Sequence, residues 1–414
     1  MTHAPEVLLR ASRPGRTRGI GLELYTAALA NPGGAGGIWR RGLREARALH
    51  SAERRLVADA LPALARQEAQ LDRRLGTSAP LARWLGLLVS WGLDPAAASE
   101  AAEAEGLVGA AFTACGALDH PDDDLAVRAS VPGRVADELR RALGDEAGIF
   151  LTASASRAPV VLRVPAGARD GLVFALADEG AVATPLAPTG IALPAGTDVR
   201  ALKPLRQVAW ELQDEASQVV AGLVTARAGG RVLDLCAGAG GKSLAIAAQR
   251  RDLQVFATDV RQRPLDELQH RAKEAGLTIR TRQISPEGPL DLTPFDVVLV
   301  DAPCSGTGTW RRHPELRWRL GGLDETTALQ RAILRRAAPL VAPGGLLIYA
   351  TCSVLPCEDE DVVADLLAHD PAWELVTPDV PTAARAGAYV RTWPHRHGTD
   401  GFFAATLRRK ETSA

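Results

Sequence analysis

The second half of the chain, from about residue 206 onward, alternates short apolar runs with amphipathic segments. This alternation predicts an α/β fold, a doubly wound parallel sheet with helices on its faces. Two last apolar runs predict strands that close the sheet. The predicted strands are 231–235, 254–259, 279–283, 295–300, 345–351, 389–392 and 402–407, and the predicted helices are 216–226, 241–250, 261–275, 324–341 and 357–369.

Two of the predicted strands run directly into a cysteine. Residues 297–300 lead into Asp301 and, after an Ala-Pro pair, Cys304, whereas residues 346–350 lead through a threonine into Cys352. Open α/β sheets bind ligands at the carboxyl ends of their strands. The sequence therefore predicts that one acid and two thiols lie together at this edge. For each thiol the alternative is a buried, inert side chain, which is the usual role of a free cysteine.

The first strand of this half leads into a glycine-rich turn within Val232–Ser243. A phosphate-binding P-loop needs a glycine where Cys236 stands, and a dinucleotide fingerprint needs one where Ser243 stands. The turn therefore favours a nucleoside cofactor such as S-adenosylmethionine, with Asp259 at the end of the next strand placed to bind ribose hydroxyls. The alternative is a strand-to-helix corner without a ligand. Lys242 is a candidate cation for stabilising a nearby thiolate.

The composition limits the classes of protein to which the chain can belong. A formal net charge of −1 means that any basic surface for nucleic acid must be local. The five cysteines form neither a disulfide framework nor a zinc pattern, so we expect a reducing, cytoplasmic location and no metal. No apolar run approaches the roughly 18 residues that a membrane span needs, so no membrane is expected as a partner.

A basic segment with tryptophans follows the Cys304 turn directly. Residues 309–319 carry arginines interleaved with Trp310 and Trp318. Arginine pairs with phosphates and tryptophan stacks on bases, so the pattern predicts an RNA-binding segment. The alternative is a solvated and partly packed loop.

The first half of the chain divides into three parts. Residues 1–20 are polar and rich in arginine, and we expect a mobile lead-in. Residues 21–128 show helical spacing only, with helices predicted at 51–71 and 81–93. Residues 129–205 predict a small α+β module, which leaves 206–414 for the doubly wound domain. A turn-rich stretch, 120–124, is the predicted boundary zone between the first two folded parts.

Several motifs give the chain a resemblance to a known family. It resembles the Sun-type RNA cytosine-5 methyltransferases, most closely the B type that acts on 16S ribosomal RNA. The resemblance is strong over about residues 130–408, and the B type carries an N-terminal helical domain similar to the transcription factor NusB. The motifs are Gln213–Ser217, Asp234–Lys242, Asp301–Gly308, Arg312–Trp318, Ala350–Pro356 and Asp400–Phe403.

The resemblance implies a role for each residue at the predicted sheet edge. Cys352 would be the nucleophile that adds to carbon 6 of a cytosine, which makes carbon 5 reactive toward the methyl donor. Asp301 would bind the protonated ring nitrogen 3, and Cys304 would assist breakdown of the covalent adduct. The base would leave any stack to reach Cys352.

The resemblance also implies S-adenosylmethionine as cofactor and a set of residues that bind it. The family often has proline where Ala239 stands, and an acid in the stretch equivalent to 283–287, where Ser285 is the candidate for the adenine contact. The implied cofactor residues are Cys236, Ala237, Gly238, Ala239, Gly240, Gly241, Lys242, Asp259, Ser285 and Asp301.

The implied partner is RNA, most directly ribosomal RNA, and we expect a monomer that binds no DNA. The helical domain and the small module would both contact RNA. Two RNA-related alternatives stay open, a transfer RNA substrate and a non-catalytic RNA-binding protein of ribosome assembly. A DNA cytosine-5 methyltransferase is a further alternative. That class uses the cysteine of a Pro-Cys pair as nucleophile, which would assign the attack to Cys304.

Overall fold

The structure, a computed structural model, describes residues 3–120, 122–226 and 230–411. It consists of two compact units. The first comprises Met1–Ala155 together with Trp310–Gly322, and the second comprises Ser156–Thr309 together with Leu323–Ala414. Within the described ranges no helix has the length and apolar character that crossing a membrane requires.

The first unit is helical. Its core is one cluster of buried apolar side chains, among them Trp84 and Tyr25. The longest helix begins with a capping box, in which Glu53 accepts a hydrogen bond from the backbone of His50 at 3.0 Å. The helices are α1 (Pro5–Ser12), α2 (Arg16–Ala30), α3 (Ala35–Glu45), α4 (Ser51–Leu75), α5 (Pro80–Ser90), α6 (Pro95–Glu103), α7 (Leu125–Ala129), α8 (Gly133–Leu143) and α9 (Ala147–Ala155).

The prediction of a mobile lead-in at residues 1–20 is wrong for the residues described. Pro5 opens α1, where a proline is tolerated because the first helical N–H has no partner. Leu8 and Ala11 lie on one face of α1 and are buried in the core of the unit. Arg10 and Arg16 lie on exposed faces of ordered helices, whereas Arg18 is buried and donates to the carbonyl of Ser12 at 3.2 Å. Met1 and Thr2 lie outside the described residues, as does Pro121 in the predicted boundary zone.

The division of the chain also differs from the predicted boundaries at 128 and 205. Helices α8 and α9 belong to the helical unit, because α7 packs on α4 while α8 and α9 pack on α7. The small module begins at Ser156 and forms a single compact unit with the large sheet. The sequence placed residues 129–155 in the small module, because the packing of α8 and α9 on α7 has no local signal.

The segment 310–322 belongs to the helical unit, although it follows the Cys304 turn in sequence. Trp310 is fully buried, and Trp318 packs against Tyr25 and Trp39 and donates a hydrogen bond to Glu68 at 2.6 Å. These indole rings are part of a protein core. The prediction that the two tryptophans stack on RNA bases is therefore wrong.

Arg317 in the same segment is buried as well. Its guanidinium lies 4.2 Å from the centre of the Trp310 ring and donates to the carbonyl of Ala129 at 3.0 Å. Burial lowers the pKa of Arg317 to about 9, and the positive charge of Arg66 lowers it further, while Glu315 acts in the opposite direction. Such a group stabilises the packing of the segment and does not present a free cation to phosphate.

The small module is an antiparallel sheet with strand order β2-β3-β1-β4 and one helix. Its apolar residues form a core of their own, which includes Leu162 and Ile191 from neighbouring strands. The elements are β1 (Val160–Arg163), α10 (Arg169–Ala175), β2 (Val182–Ala183), β3 (Gly190–Leu193) and β4 (Glu211–Leu212).

The large sheet has nine strands in the order β11-β12-β13-β9-β8-β5-β6-β7, with β10 paired to β13. The five strands from β5 to β9 are parallel neighbours, and the others pair antiparallel. Both predicted closing strands, β12 and β13, are confirmed.

The bounds of the elements in this part agree with the predicted ones within a few residues. Buried parallel strands read as unbroken apolar runs, which makes them easy to find. The elements are α11 (Glu215–Thr225), β5 (Arg231–Asp234), α12 (Gly241–Gln249), β6 (Gln254–Asp259), α13 (Gln262–Glu274), β7 (Ile279–Gln283), β8 (Phe295–Asp301), α14 (Leu323–Ala337), β9 (Val341–Thr351), α15 (Glu360–His369), β10 (Trp373–Val376), β11 (Arg385–Ala386), β12 (Tyr389–Thr392), α16 (Pro394–His397) and β13 (Phe402–Arg409).

Candidate active site

The candidate site lies at the carboxyl ends of β5, β8 and β9, three adjacent strands. The strand order reverses between β5 and β8, and ligands of open α/β sheets bind at such a switch point. The register holds Asp301 opposite Ala350, and the backbone N–H of Ala302 donates to the carbonyl of Ala350 at 2.9 Å. The turns that follow β8 and β9 therefore begin side by side.

The two thiols meet at this edge, as the sequence predicted. The Sγ atoms of Cys304 and Cys352 are 3.3 Å apart, within hydrogen-bonding distance for sulfur. The N–H of Gly308 donates to the carbonyl of Cys352 at 3.0 Å, which ties the two turns together. A Cβ atom at Gly308 would collide with the backbone of Gly401, so this close approach requires glycine.

The environment of Cys304 keeps its thiol protonated. The hydrogen bond to Cys352 and burial both raise the pKa of Cys304 well above its ordinary value, and the negative charges of Cys352 and Glu358 add to this effect. The backbone of Gly306 opposes the shift only in part. Cys304 is thus suited to donate its proton in a hydrogen bond to a neighbouring thiolate.

Lys242 supplies the positive charge of the site. Its Nζ donates to Oδ2 of Asp301 at 2.5 Å, and the lysine side chain is buried. Burial alone would lower the pKa of Lys242, but the charge and hydrogen bond of Asp301 raise it above its ordinary value, with a smaller contribution from Cys352. The ammonium is therefore charged and within electrostatic reach of the thiol pair.

Asp301 has an accessible side chain beside this ammonium. Its side chain is 31% exposed, and among the residues that the structure describes Lys242 is its one hydrogen-bond partner. A carboxylate can accept up to four hydrogen bonds, so Asp301 retains acceptor capacity at the mouth of the site. It is suited to bind a donor on a substrate ring.

The glycine-rich turn is built as a cradle in which backbone approaches a ligand. Gly238 and Gly240 adopt positive φ angles of 54° and 81°, which glycine adopts without strain. The turn is held from behind by side chains. Arg271 donates to the carbonyl of Ala239 at 2.6 Å, and Gln213 donates to the carbonyl of Gly241 at 3.2 Å. Neither support was recognised from the sequence.

Acidic side chains surround this turn. Asp234 is fully buried and accepts a hydrogen bond from Ser243 at 2.6 Å, while its Oδ1 atom has no partner among the described residues. Burial raises the pKa of Asp234 to about 7, and the carboxylates of Asp301 and Asp259 add to the increase. The hydrogen bond from Ser243 acts in the opposite direction and lowers the pKa. S-adenosylmethionine carries a sulfonium and an ammonium, and a group of three acids with one orphaned carboxyl oxygen fits those charges.

Asp259 lies at the end of β6, as predicted, and faces the turn. It accepts from the N–H of Gly238 at 2.9 Å and from the backbone and guanidinium of Arg261 at 2.9–3.2 Å. Burial would raise the pKa of Asp259, but the hydrogen bonds and charge of Arg261, together with Gly238, lower it below its ordinary value. The carboxylate is thus ionised and ready to accept hydroxyl hydrogen bonds. Arg261 was not identified from the sequence.

Cys236 and Ser285 occupy different positions at this site. The thiol of Cys236 lies among carboxylates, and burial together with the charges of Asp234 and Asp301 raises its pKa, so it is a neutral lining group. Ser285 lies in the exposed loop after β7, which Arg336 holds through three backbone carbonyls. Within the part of the chain that the structure describes, the hydrogen bonds of Ser285 go to Glu287 and Arg336 and not to a residue of the site.

Glu358 is the residue that sequence reasoning missed. It is fully buried and accepts hydrogen bonds from the backbone N–H of Ser305 at 2.8 Å, from the hydroxyl groups of Ser305 and Ser353, and from Gln330 at 3.1 Å. One carboxylate therefore holds the residues that follow both cysteines. In the sequence, the one feature that could have pointed to Glu358 is its position, six residues after Cys352. No cluster of metal-ligating side chains is present in the described ranges.

The sheet order, the glycine turn and the acids around it define a Rossmann-like fold of the class that S-adenosylmethionine-dependent methyltransferases use. The family follows from sequence comparison. Residues 221–408 match the family model described as 16S rRNA methyltransferase RsmB/F, which assigns this part of the chain to that family.

Three relatives illustrate the range of similarity. The chain is 38% identical over 290 residues to a methyltransferase of Mycobacterium tuberculosis, covering 66% of this chain and 62% of the relative. It is 41% identical over 207 residues to ribosomal RNA small subunit methyltransferase B of Thermus thermophilus (49% of this chain, 50% of the relative), and 33% identical over 291 residues to the enzyme of that name in Salmonella heidelberg (67% and 66%). The matches thus span between half and two thirds of the relatives' length.

Solved structures are similar in fold. The crystal structure of PH0851 has a TM-score of 0.74 at 23% identity and covers 95% of this chain and 98% of that one. NSun6 from Pyrococcus horikoshii, crystallised with SFG, has a TM-score of 0.60 at 19% identity and covers 68% of this chain and 99% of that one. At these identities the likeness shows a shared fold.

Proposed function

We propose that the protein methylates carbon 5 of a cytosine in RNA, with small-subunit ribosomal RNA as the substrate, through a covalent bond between Cys352 and the base. The observation that supports this most is the contact of Cys304 with Cys352 beside the Lys242–Asp301 pair. S-adenosylmethionine, when bound, supplies a methyl group on a positively charged sulfur. The glycine turn, Asp234 and Asp259 are the groups that would hold it.

Cys352 is assigned the attack on carbon 6 of the cytosine. The Sγ–C6 bond forms as the C5–C6 double bond opens, and its electron pair makes carbon 5 nucleophilic. Lys242 favours the thiolate that this attack needs, because its ammonium is buried and charged beside the thiol pair. In the DNA methyltransferase alternative Cys304 attacks instead, so the two assignments predict loss of methyl transfer in different cysteine variants.

Asp301 and Cys304 are assigned the two supporting steps. The free acceptor capacity of Asp301 binds the proton on nitrogen 3, which draws electrons into the ring while the adduct exists. After methyl transfer, carbon 5 loses its proton to solvent, and the returning electron pair breaks the Sγ–C6 bond. The thiol of Cys304, 3.3 Å away, donates a hydrogen bond to the departing Cys352 thiolate. Release therefore depends on Cys304.

The test is methyl transfer from radiolabelled S-adenosylmethionine to deproteinised 16S rRNA and to matched DNA. We expect transfer to RNA only, its loss in Cys352→Ala, and a covalent protein–RNA complex resistant to denaturation in Cys304→Ala. Cys115→Ala, at a buried cysteine of the helical unit, is the control and should behave as wild type. Full activity of Cys352→Ala would overturn the mechanism. Bisulfite sequencing of RNA from cells with and without the gene would identify the cytosine and decide between ribosomal and transfer RNA.

A further inference from the structure

A cavity of about 1160 Å³ lies away from the thiol pair, within the second unit. Its walls come from β1, β4 and the chain before β4 on one side and from α12 and α13 on the other. Five arginines and two glutamates line it, so its charge is clearly positive although the whole chain is nearly neutral. The arginines are Arg163, Arg206, Arg250, Arg251 and Arg271.

Arg163 is the central group of this cavity. It is 7% exposed and donates through Nε to Oε1 of Gln213 at 2.8 Å. Within the described part of the chain, its Nη1 and Nη2 atoms have no hydrogen-bond partner. Burial lowers the pKa of Arg163, and Arg271 lowers it further, while Glu211 opposes the shift. Neither Nη atom is fully buried, and Arg163 lines the cavity, so a bound anion could pair with this fork.

The glutamates that line the cavity do not supply a partner for the Nη atoms of Arg163. Glu211 already pairs with Arg271 at 2.8 Å, so it is engaged. Arg206 and Arg251 are exposed lining residues that a ligand can reach, and Trp210 is a half-buried aromatic in the same wall. Guanidinium groups recognise phosphate by paired hydrogen bonds, and an indole offers a face for a base. Phosphate with adjoining bases is the ligand chemistry that suits these walls.

We propose that this cavity binds the phosphate backbone of the RNA substrate, with Arg163 as the buried anchor and Arg206 and Arg251 as outer contacts. The proposal rests on the proposed function, because it takes RNA as the substrate. The anchor is linked to the cofactor turn through Gln213, which accepts from Arg163 and donates to the carbonyl of Gly241 at 3.2 Å. RNA held here is thereby connected to the backbone that cradles the cofactor.

The experiment measures binding of full-length protein to a deproteinised 16S rRNA transcript at several salt concentrations. Arg163→Lys keeps the charge and removes the fork, and Arg206→Ala with Arg251→Ala removes the outer contacts. We expect each variant to bind about fivefold or more weakly. Only the variant that loses two charges should show a shallower salt dependence, since each lost charged contact to phosphate removes roughly 0.7–0.9 from the slope. Arg385→Ala, at an exposed arginine of β11 outside the cavity, should bind as wild type.

The outcomes separate the sources of phosphate. Unchanged RNA affinity in both cavity variants would overturn the proposal. A second outcome would also overturn it. In that outcome, millimolar inorganic phosphate raises the melting temperature of the wild type but not of Arg163→Lys, while RNA affinity stays unchanged. The site would then bind a free phosphate compound. If Arg163→Lys fails to fold, the double variant of Arg206 and Arg251 still tests whether the cavity binds RNA. Binding needs no methyl transfer, so failure of the cytosine-5 chemistry would appear separately, as methylation that does not depend on Cys352.

Discussion

The hydroxyl of Ser353 donates a hydrogen bond to the carboxylate of Glu358 at 2.5 Å, and both residues are fully buried. The same carboxylate receives the N–H of Ser305. Because these serines follow Cys352 and Cys304 directly, Glu358 fixes the two turns on which the thiols stand. The sulfur–sulfur distance therefore depends on a buried carboxylate whose hydrogen bonds go to the neighbours of the two cysteines.

Substitution of Glu358 should separate charge from hydrogen bonding. Glu358→Ala leaves buried donors unpaired, and we expect a loss of stability of about 3 kcal/mol and a more than tenfold fall in kcat. Glu358→Gln keeps an acceptor oxygen and should be less destabilised. Because it removes a negative charge beside Cys304, it should also make that thiol react faster with iodoacetamide at a given pH. Equal reactivity of Cys304 in Glu358→Gln and wild type would show that the carboxylate has only a structural role.

Lys242→Met tests the source of positive charge. Without the ammonium, the thiolate of Cys352 loses its neighbouring cation, and Asp301 loses its ion-pair partner. We expect alkylation of Cys352 at pH 7 to slow several-fold and kcat to fall by about a hundredfold or more. Peptide mass spectrometry after timed alkylation measures the first effect. Lys410→Met, at an exposed lysine near the end of the chain, should change neither quantity.

Asp234→Asn tests the pH dependence that a buried acid imposes. Because burial raises the pKa of Asp234 to about 7, the folded protein holds a proton there between about pH 4 and 7 that the unfolded chain has released. This contribution to stability is present at low pH and is lost as the pH rises through 7. The amide does not titrate. We therefore expect the difference in melting temperature, Asp234→Asn minus wild type, to be more positive at pH 8.5 than at pH 5.5. An equal difference at both pH values would contradict the assignment.

Trp318→Ala tests the core role of the 310–322 segment. The substitution removes the contacts with Tyr25 and Trp39 and leaves Glu68 without its indole donor, so we expect a loss of about 3 kcal/mol. Thermal unfolding measures it. Phe174→Ala removes a ring that is 87% exposed and should change stability by less than about 0.5 kcal/mol. If the two variants melted alike, Trp318 would not be a core residue.

The sequence predicted the parts of the site that depend on strand ends. Buried parallel strands appear as unbroken apolar runs, so the residues after β8 and β9 could be placed at one edge, and Cys304 meets Cys352 there. Asp259 was found by the same argument. These predictions succeeded because the geometry of a parallel sheet carries over from one chain to another.

What escaped prediction depends on contacts between distant parts of the chain. Glu358 looks like any acid near a helix start, and only the folded turns bring Ser305 to it. The tryptophans of the 310–322 segment have the composition of an RNA-binding loop, yet their neighbours are residues of α2, α3 and α9. No local pattern distinguishes an indole that stacks on a base from one that packs on a tyrosine.

The 310–322 segment has a consequence for the order of folding during synthesis. The helical unit needs these residues for its core, but about 155 residues lie between Ala155 and Trp310. At roughly 5–20 residues per second, the ribosome takes about 8–30 s to make that stretch. During this time part of the apolar surface of the N-terminal helices stays exposed. It can be covered only after the turn that carries Cys304 has been synthesised. The helical unit can therefore be completed only after residues 156–309 of the second unit have been synthesised.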